Sequence, residues 1–309
     1  MKVTLNLTEL LENGDISQEE YDRLLKLSSS GTSSLALNIF IAFGVISVAA
    51  GVLALVPTPL AAIALGAALT VAGLGLYRRP QRDWDILAHI FVLIGALVLA
   101  GGIIVLTEAA VSTFLMIAAG FALVGVLSHS GMLVTLAVLA LASTIGARTG
   151  YAHASYFLGM EEPTVTVILM AALALACYLV SKKLSAAYER VALIAARTAV
   201  LVANFGFWIG SLWGDTLSGS GIHIPDYAFG TLWALGLLGL GIWAARNNLR
   251  WVVNVVAIFG AIHFYTQWFE LLGAHPLSVL LCGLVTLGLA LGLWKLNQRL
   301  IARQKTAGD

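Results

Sequence analysis

Apolar stretches of about twenty residues recur along the 309-residue chain from Leu35 onward. A helix rises 1.5 Å per residue, so about twenty apolar residues cross the ~30 Å hydrocarbon core of a bilayer. The chain is 60% hydrophobic and 11% charged, whereas a soluble domain is about 25% charged because its surface must be solvated. The sequence therefore predicts an all-α fold, a polytopic transmembrane helix bundle of about ten spans. We place the spans at residues 35–56, 60–77, 86–106, 109–127, 131–147, 163–181, 191–213, 227–245, 249–272 and 276–294.

The basic residues predict the orientation of these spans. If the N-terminus lies in the cytoplasm, the cytoplasmic loops and both tails carry every Lys and Arg except Arg148 and Arg197. Cytoplasmic loops are enriched in Lys and Arg, so we expect both termini inside. Tryptophan residues are found toward the ends of the spans, which is typical of an interfacial belt. Those toward the outer ends are Trp208, Trp213, Trp233 and Trp268.

The first 34 residues form a separate cytoplasmic unit in this interpretation, and residues 35–309 form the membrane domain with a short cytoplasmic tail. Residues 5–27 predict two short helices around a turn, and Ser17 with Glu20 matches a capping box. Residues 28–34 predict a flexible tether. Because so small a hairpin buries too little surface to be stable alone, we expect residues 5–27 to dock on the membrane domain, on a second copy or on a protein partner.

The opening segment Leu10–Leu–Glu–Asn–Gly–Asp–Ile–Ser–Gln–Glu–Glu–Tyr21 resembles the short SHOCT-type oligomerisation hairpin. It is also similar to the N-terminal segment of uncharacterised bacterial membrane proteins grouped as domain-of-unknown-function family 2157. Residues 252–264, the turn after Phe269 and the last Gly-rich span resemble the C-terminal pair of that family. The resemblance implies a multi-pass protein of the bacterial inner membrane, and it implies no activity.

No motif for catalysis or cofactor binding is present in the sequence. The chain lacks a G-x-x-x-x-G-K-[ST], G-x-G-x-x-G or G-x-S-x-G pattern in a strand-to-helix context. Cys177 and Cys282 lie in apolar runs and are typical of small buried side chains. Basic loops of two or three residues suit lipid headgroups and not nucleic acid. We therefore expect no enzyme activity, no cofactor, no metal and no nucleic-acid partner.

Polar residues inside the spans are the candidate functional residues, because they are costly in hydrocarbon. Arg197, Asn254, His89 and Asn38 fall at similar depths near the cytoplasmic side. They could face the interior of the bundle as a polar layer, or they could only form hydrogen bonds between helices.

A second polar group falls in the outer half of the spans. His263, Gln267 and Glu270 have the spacing i, i+4 and i+7, which places them on one face of a helix, and Asn204 has a similar depth. They could line a cavity that opens to the outside and binds a substrate or carries protons. Further His and acidic residues lie in the outer loops, without the close spacing of a metal site: His153, Glu161, Glu162, Asp215, His223, Asp226 and His275.

Two functions are consistent with these features. The first is a small-molecule or ion permease, because ten spans can form two inverted halves of five, as in known carriers. The alternative is a non-transporting scaffold or sensor that recruits a partner through its N-terminal hairpin. The scarcity of acidic residues at mid-depth argues against proton or sodium coupling.

Overall fold

The computed structural model describes residues 7–12, 14–78, 85–152, 155–217, 221–247, 249–288 and 290–291, and these are mostly helical. Two short antiparallel hairpins accompany the helices, β1 with β2 and β3 with β4. The elements are α1 (Leu7–Glu12), α2 (Gln18–Leu55), α3 (Pro59–Tyr77), α4 (Asp85–Leu106), α5 (Val111–Leu127), α6 (Gly131–Ser143), β1 (Ala147–Ala152), β2 (Ser155–Met160), α7 (Pro163–Ser181), α8 (Ala186–Trp213), β3 (Asp215–Thr216), β4 (His223–Ile224), α9 (Asp226–Arg246) and α10 (Arg250–Leu272). A further apolar helix, α11, covers Pro276–Gly288.

Each of the ten apolar segments predicted from the sequence contains a helix. Six helices of the described residues, α3, α4, α7, α8, α9 and α10, are long and apolar enough to cross a membrane. Four apolar helical segments are shorter, at Ile39–Leu55, Val111–Leu127, Gly131–Ser143 and Pro276–Gly288. Many large apolar side chains are exposed, such as Phe40 at 77% and Leu238 at 64%, and a surface of this kind suits lipid better than water. The count of ten spans and the cytoplasmic termini stay predictions.

The fifth predicted span differs most from the structure. Helix α6 ends at Ser143, and a β-hairpin follows in which Ala147 pairs with Met160 and Ala152 with Ser155. Gly146 ends the helical conformation with a φ of +85°, which a side chain would disfavour. The 13 residues of α6 measure only about 20 Å at the helical rise, shorter than the hydrocarbon core.

The N-terminal hairpin has the predicted cap. The Glu20 backbone N–H donates to Ser17 Oγ at 3.2 Å, and the Ser17 backbone N–H donates to Glu20 Oε2 at 3.0 Å. The predicted flexible tether at residues 28–34 is instead part of α2, which continues from Gln18 to Leu55 without a break. Good helix formers flank the Ser-rich stretch, and one internal Gly costs only about 1 kcal/mol of helix stability.

The chain divides into two compact units, and the first contains Met1–Thr144 and Ala174–Thr198. Its closest helix pair is α3 with α4. A Cβ atom added at Gly95 would lie 2.5 Å from the backbone N of Thr70, and one at Gly102 would lie 2.9 Å from Ile63. Small residues at this seam let the two backbones approach, as in many membrane helix pairs. Val92, Ile117 and Phe121 belong to the buried hydrophobic core of this unit. Its other members are Ala96, Ala100, Ala118, Leu133, Ala137 and Ala140.

The second unit contains Ile145–Leu173 and Ala199–Asp309. Its hydrophobic core consists of Trp233 and Leu237 from α9 with Val255 and Phe259 from α10. Aromatic residues of α8, among them Phe205, pack against this core. This unit also contains the predicted polar residues Asn204, His263, Gln267 and Glu270, so its core positions the candidate site.

Candidate functional site

Trp233 is the centre of the candidate site, although the sequence placed it in an interfacial belt. Its side chain is 2% exposed. The indole Nε1 donates a hydrogen bond to Oδ1 of Asn204 at 2.9 Å, and the amide nitrogen of Asn204 donates to the carbonyl of Val200 at 2.8 Å. Burying a polar group is costly unless it is hydrogen-bonded. The two side chains therefore satisfy each other inside the unit and fix the register of α8 against α9.

His263 reaches the same tryptophan from α10. The rings of His263 and Trp233 meet edge to face, with their centroids 5.0 Å apart and their planes at 75°. Phe259, one turn earlier, packs against Trp233 at a centroid distance of 6.3 Å. The structure thus brings Asn204 and His263, which the sequence placed at one depth, to a single aromatic side chain.

The imidazole of His263 is incompletely satisfied. Its Nδ1 atom is buried, and within the described part of the chain it has no hydrogen-bond partner. An orphaned buried polar atom costs about 1–3 kcal/mol, so such atoms usually have a water, an ion or a functional role. The arrangement can accept or donate one more hydrogen bond at Nδ1.

Gln267 lies one turn beyond His263 and faces α9. A Cβ atom added at Gly230 would lie 3.5 Å from the side-chain amide of Gln267. Because Gly230 has no side chain, the amide can approach the backbone of α9. We call the group of Asn204, Trp233, His263 and Gln267 the Trp233 site.

The other candidate residues lie outside this group. Glu270 is exposed in the last turn of α10, and Asn254 is exposed in its first half. Arg197 is exposed on α8, and His89 is exposed on α4, where its ring meets Tyr77 edge to face at 5.2 Å. Asn38 is part of α2, and its side chain lies outside the described residues. The structure therefore does not bring Glu270 or Asn254 into the Trp233 site, and Arg197, His89 and Asn38 belong to the first unit.

A histidine–tyrosine cluster of the first unit was not predicted from the sequence. The hydroxyl of Tyr77 and Nδ1 of His129 are 2.9 Å apart, and the ring of Tyr188 lies 4.6 Å from that of His129. Tyr77 ends α3, His129 follows α5 and Tyr188 lies in the first turn of α8. In the predicted topology all three residues lie at cytoplasmic ends of spans. This shared position was the one feature of the sequence that indicated the cluster.

The residues predicted in the outer loops are partly brought together. Glu161 and Asp215 line one cavity of about 410 Å³, and His223 is hydrogen-bonded to Thr216 at 3.2 Å. His153 lies outside the described residues. Among the described residues, no group of three or more His, Cys, Asp or Glu is placed to hold a metal ion.

No family model, curated protein or solved structure matches the chain. The resemblance of the N-terminal segment to the SHOCT-type hairpin and to family 2157 stays a prediction.

Proposed function

We propose that the chain is a permease for a small polar molecule or an ion, and that the Trp233 site contacts the transported species. One observation supports this proposal above others, which is the buried Nδ1 atom of His263 without a partner among the described residues. In a candidate membrane span, an unsatisfied polar atom is costly. A substrate or a water molecule that binds Nδ1 of His263 during transport would explain why this polar atom lies beside Asn204 and Gln267.

The proposal includes a location and an orientation. We place the protein in the bacterial inner membrane because of its resemblance to family 2157, and we place both termini in the cytoplasm because of the distribution of Lys and Arg. On this orientation the Trp233 site lies in the outer half of the second unit's spans, and a substrate reaches it from outside.

Cysteine accessibility tests the proposal before any substrate is known. Gln267→Cys in a background without Cys177 and Cys282 should react with a small, charged, water-soluble thiol reagent added outside, because a permease must open its site to water. The matched control is Ala261→Cys, at an exposed position on the same helix, which should face lipid and stay unreactive. If Gln267→Cys is as unreactive as Ala261→Cys from both sides of the membrane, the permease proposal is wrong.

A scaffold or sensor is the second candidate, and it is supported by the form of the N-terminal hairpin. Helix α2 continues from the capped hairpin into the first apolar segment. A partner bound at residues 5–27 would therefore act directly on a membrane helix. This candidate predicts no water access to the Trp233 site.

A further inference from the structure

A cavity of about 410 Å³ lies in the second unit, away from the residues of the Trp233 site. Its wall comes from the turn between β2 and α7 and from the junction of α8 with β3. The lining includes Glu161, Pro163, Ile209, Trp213, Asp215 and Thr216. Its volume lies within the range of about 300–1,000 Å³ that is typical of small-molecule sites.

Asp215 is the buried charged residue of this cavity. Its side chain is 6% exposed, and its Oδ2 accepts a hydrogen bond from the backbone N–H of Thr164 at 2.9 Å. The pairing of β3 with β4, in which Asp215 faces Ile224, holds its backbone in place. A carboxylate can accept about four hydrogen bonds.

Glu161 supplies a second carboxylate to the same wall. Its backbone N–H donates to the carbonyl of Gly146 at 3.3 Å. A Cβ atom added at Gly146 would lie 2.8 Å from Oε2 of Glu161. The Glu161 side chain therefore packs against Gly146, which has no side chain of its own. The end of β2 and the start of β1 thus position this carboxylate at the cavity.

Trp213 adds an aromatic wall beside the carboxylates. Its side chain is 70% exposed at the end of α8. The face of an indole ring attracts cations, and a Trp gives the strongest cation–π contact of the aromatic side chains. The buried Asp215 carboxylate repels an anion, and a divalent metal needs a larger set of ligands than the described residues supply here.

We propose that this cavity binds the ammonium group of a small organic amine, with Asp215 as its principal hydrogen-bond acceptor and Trp213 as a cation–π partner. An ammonium carries three N–H donors and a positive charge, which the buried Asp215 carboxylate complements. The same group occurs in soluble amines and in the ethanolamine headgroup of a lipid. This proposal does not depend on the permease proposal, because it concerns different residues.

The test is a calorimetric titration of the full-length protein in nanodiscs of phosphatidylglycerol alone. The probe is n-propylammonium, and n-propanol is its neutral analogue. We expect saturable binding of the ammonium and none of the alcohol. Asp215→Asn should weaken binding about tenfold or more by removing a charge-assisted hydrogen bond, and Trp213→Leu should weaken it about two- to fivefold.

The control variant is Glu189→Gln, which removes an exposed carboxylate from the first turn of α8. It lies about 36 Å along the helix from Trp213 and should change the affinity less than about twofold, as for an exposed charge. Asparagine at position 215 can still accept the Thr164 N–H, and the exposed Trp213 can be replaced without disturbing the fold. Nanodiscs that contain phosphatidylethanolamine identify the source of the ligand. Weaker propylammonium binding in them indicates the lipid headgroup, and unchanged binding indicates a soluble amine.

Three outcomes would overturn the proposal. In the first, propylammonium shows no saturable binding, and wild type and Asp215→Asn co-purify with equal amounts of phosphatidylethanolamine. Another is equal binding by wild type, Asp215→Asn and Trp213→Leu. The third is calcium binding at this cavity, lost in Asp215→Asn, in a protein that does not bind the amine.

Discussion

The indole N–H of Trp233 on α9 donates to the side-chain carbonyl of Asn204 on α8 at 2.9 Å, in the buried core of the second unit. Both groups are polar, and neither could be buried alone without cost. The hydrogen bond therefore fixes the register of α8 against α9. Apolar contacts fix such a register less specifically, because they have no required partner atom. The same indole meets His263 of α10, so three helices converge on one side chain.

Trp233→Phe should destabilise the protein by about 1–3 kcal/mol, because Oδ1 of Asn204 loses its donor while remaining buried. The measurement is reversible unfolding in mixed micelles. Trp233→Phe combined with Asn204→Leu should recover part of this loss, because removing both polar partners leaves no orphaned group.

The matched control is Trp243→Phe on the same helix, where the side chain is 45% exposed. It should change the free energy of unfolding by less than about 0.5 kcal/mol, as for a surface substitution. Equal effects of the substitutions at positions 233 and 243 would mean that the hydrogen bond contributes nothing specific.

Gly95→Ala should destabilise the first unit by about 1–3 kcal/mol, the usual cost of overpacking a close contact. The added Cβ atom would lie 2.5 Å from the backbone N of Thr70 and 2.8 Å from the carbonyl oxygen of Gly66, so α3 and α4 must separate. Thermal unfolding in detergent measures the effect. Gly101→Ala is the control on the same helix, because no atom lies within 4 Å of its added Cβ. That variant should be neutral or more stable, through helix propensity of up to about 1 kcal/mol.

The helices of this protein are largely predictable from its sequence. Apolar runs bounded by Pro, Gly and charged residues predict the helices, and the pair Ser17 and Glu20 predicts the start of α2. These features are local, because the period of the apolar pattern and the cap depend on neighbouring residues. The hairpin after α6 was missed because its sequence, Ala147–Ala152, has no clear alternation and follows an apolar run directly.

The candidate site was only partly predictable, because it depends on which side chains of distant helices meet. Depth along a span predicted that Asn204 and His263 lie at similar levels, but not that Trp233 joins them. Trp233 lies seven residues into α9, which begins at Asp226, so it is about 10 Å from the start of the helix at 1.5 Å per residue. That depth was the available signal against an interfacial role. The cavity with Asp215 and Glu161 has no signal of this kind, since its walls come from two separate loops.

The ten-span orientation predicts opposite labelling of two engineered cysteines. Cys177 and Cys282, both free in the structure, are first replaced. Ser218→Cys, at a position outside the described residues, should react with an impermeant thiol reagent in intact cells, and Ser185→Cys should react only after the cells are opened. The positive-inside distribution of Lys and Arg is the physical reason. Equal labelling of both positions in intact cells would contradict the orientation.

Deletion of residues 1–30 should leave the membrane domain inserted and change its oligomeric state or its co-purified partners. The deleted part includes α1, the capped start of α2 and the turn between them, and a hairpin of this size needs a partner surface to be stable. Light scattering of the purified protein measures the mass. As a control, Gln18→Ala alters an exposed side chain of the same hairpin and should leave the assembly unchanged. A truncated protein with the mass and partners of the full-length protein would exclude the recruiting role.

His263→Phe separates a functional imidazole from one that only fills space. Phenylalanine preserves an aromatic ring beside Trp233 and removes the Nδ1 atom, which is buried without a partner among the described residues. We therefore expect the variant to be as stable as wild type or more stable, by up to about 1–3 kcal/mol, the cost of an orphaned polar atom. The permease proposal adds that the same variant loses transport, because no side chain remains to bind the substrate at this point. Unfolding in mixed micelles measures the stability, and His275→Phe, at an exposed position just before α11, is the control. A loss of stability in His263→Phe would mean that the imidazole already makes a hydrogen bond in the resting protein, and the argument from an unsatisfied nitrogen would then fail.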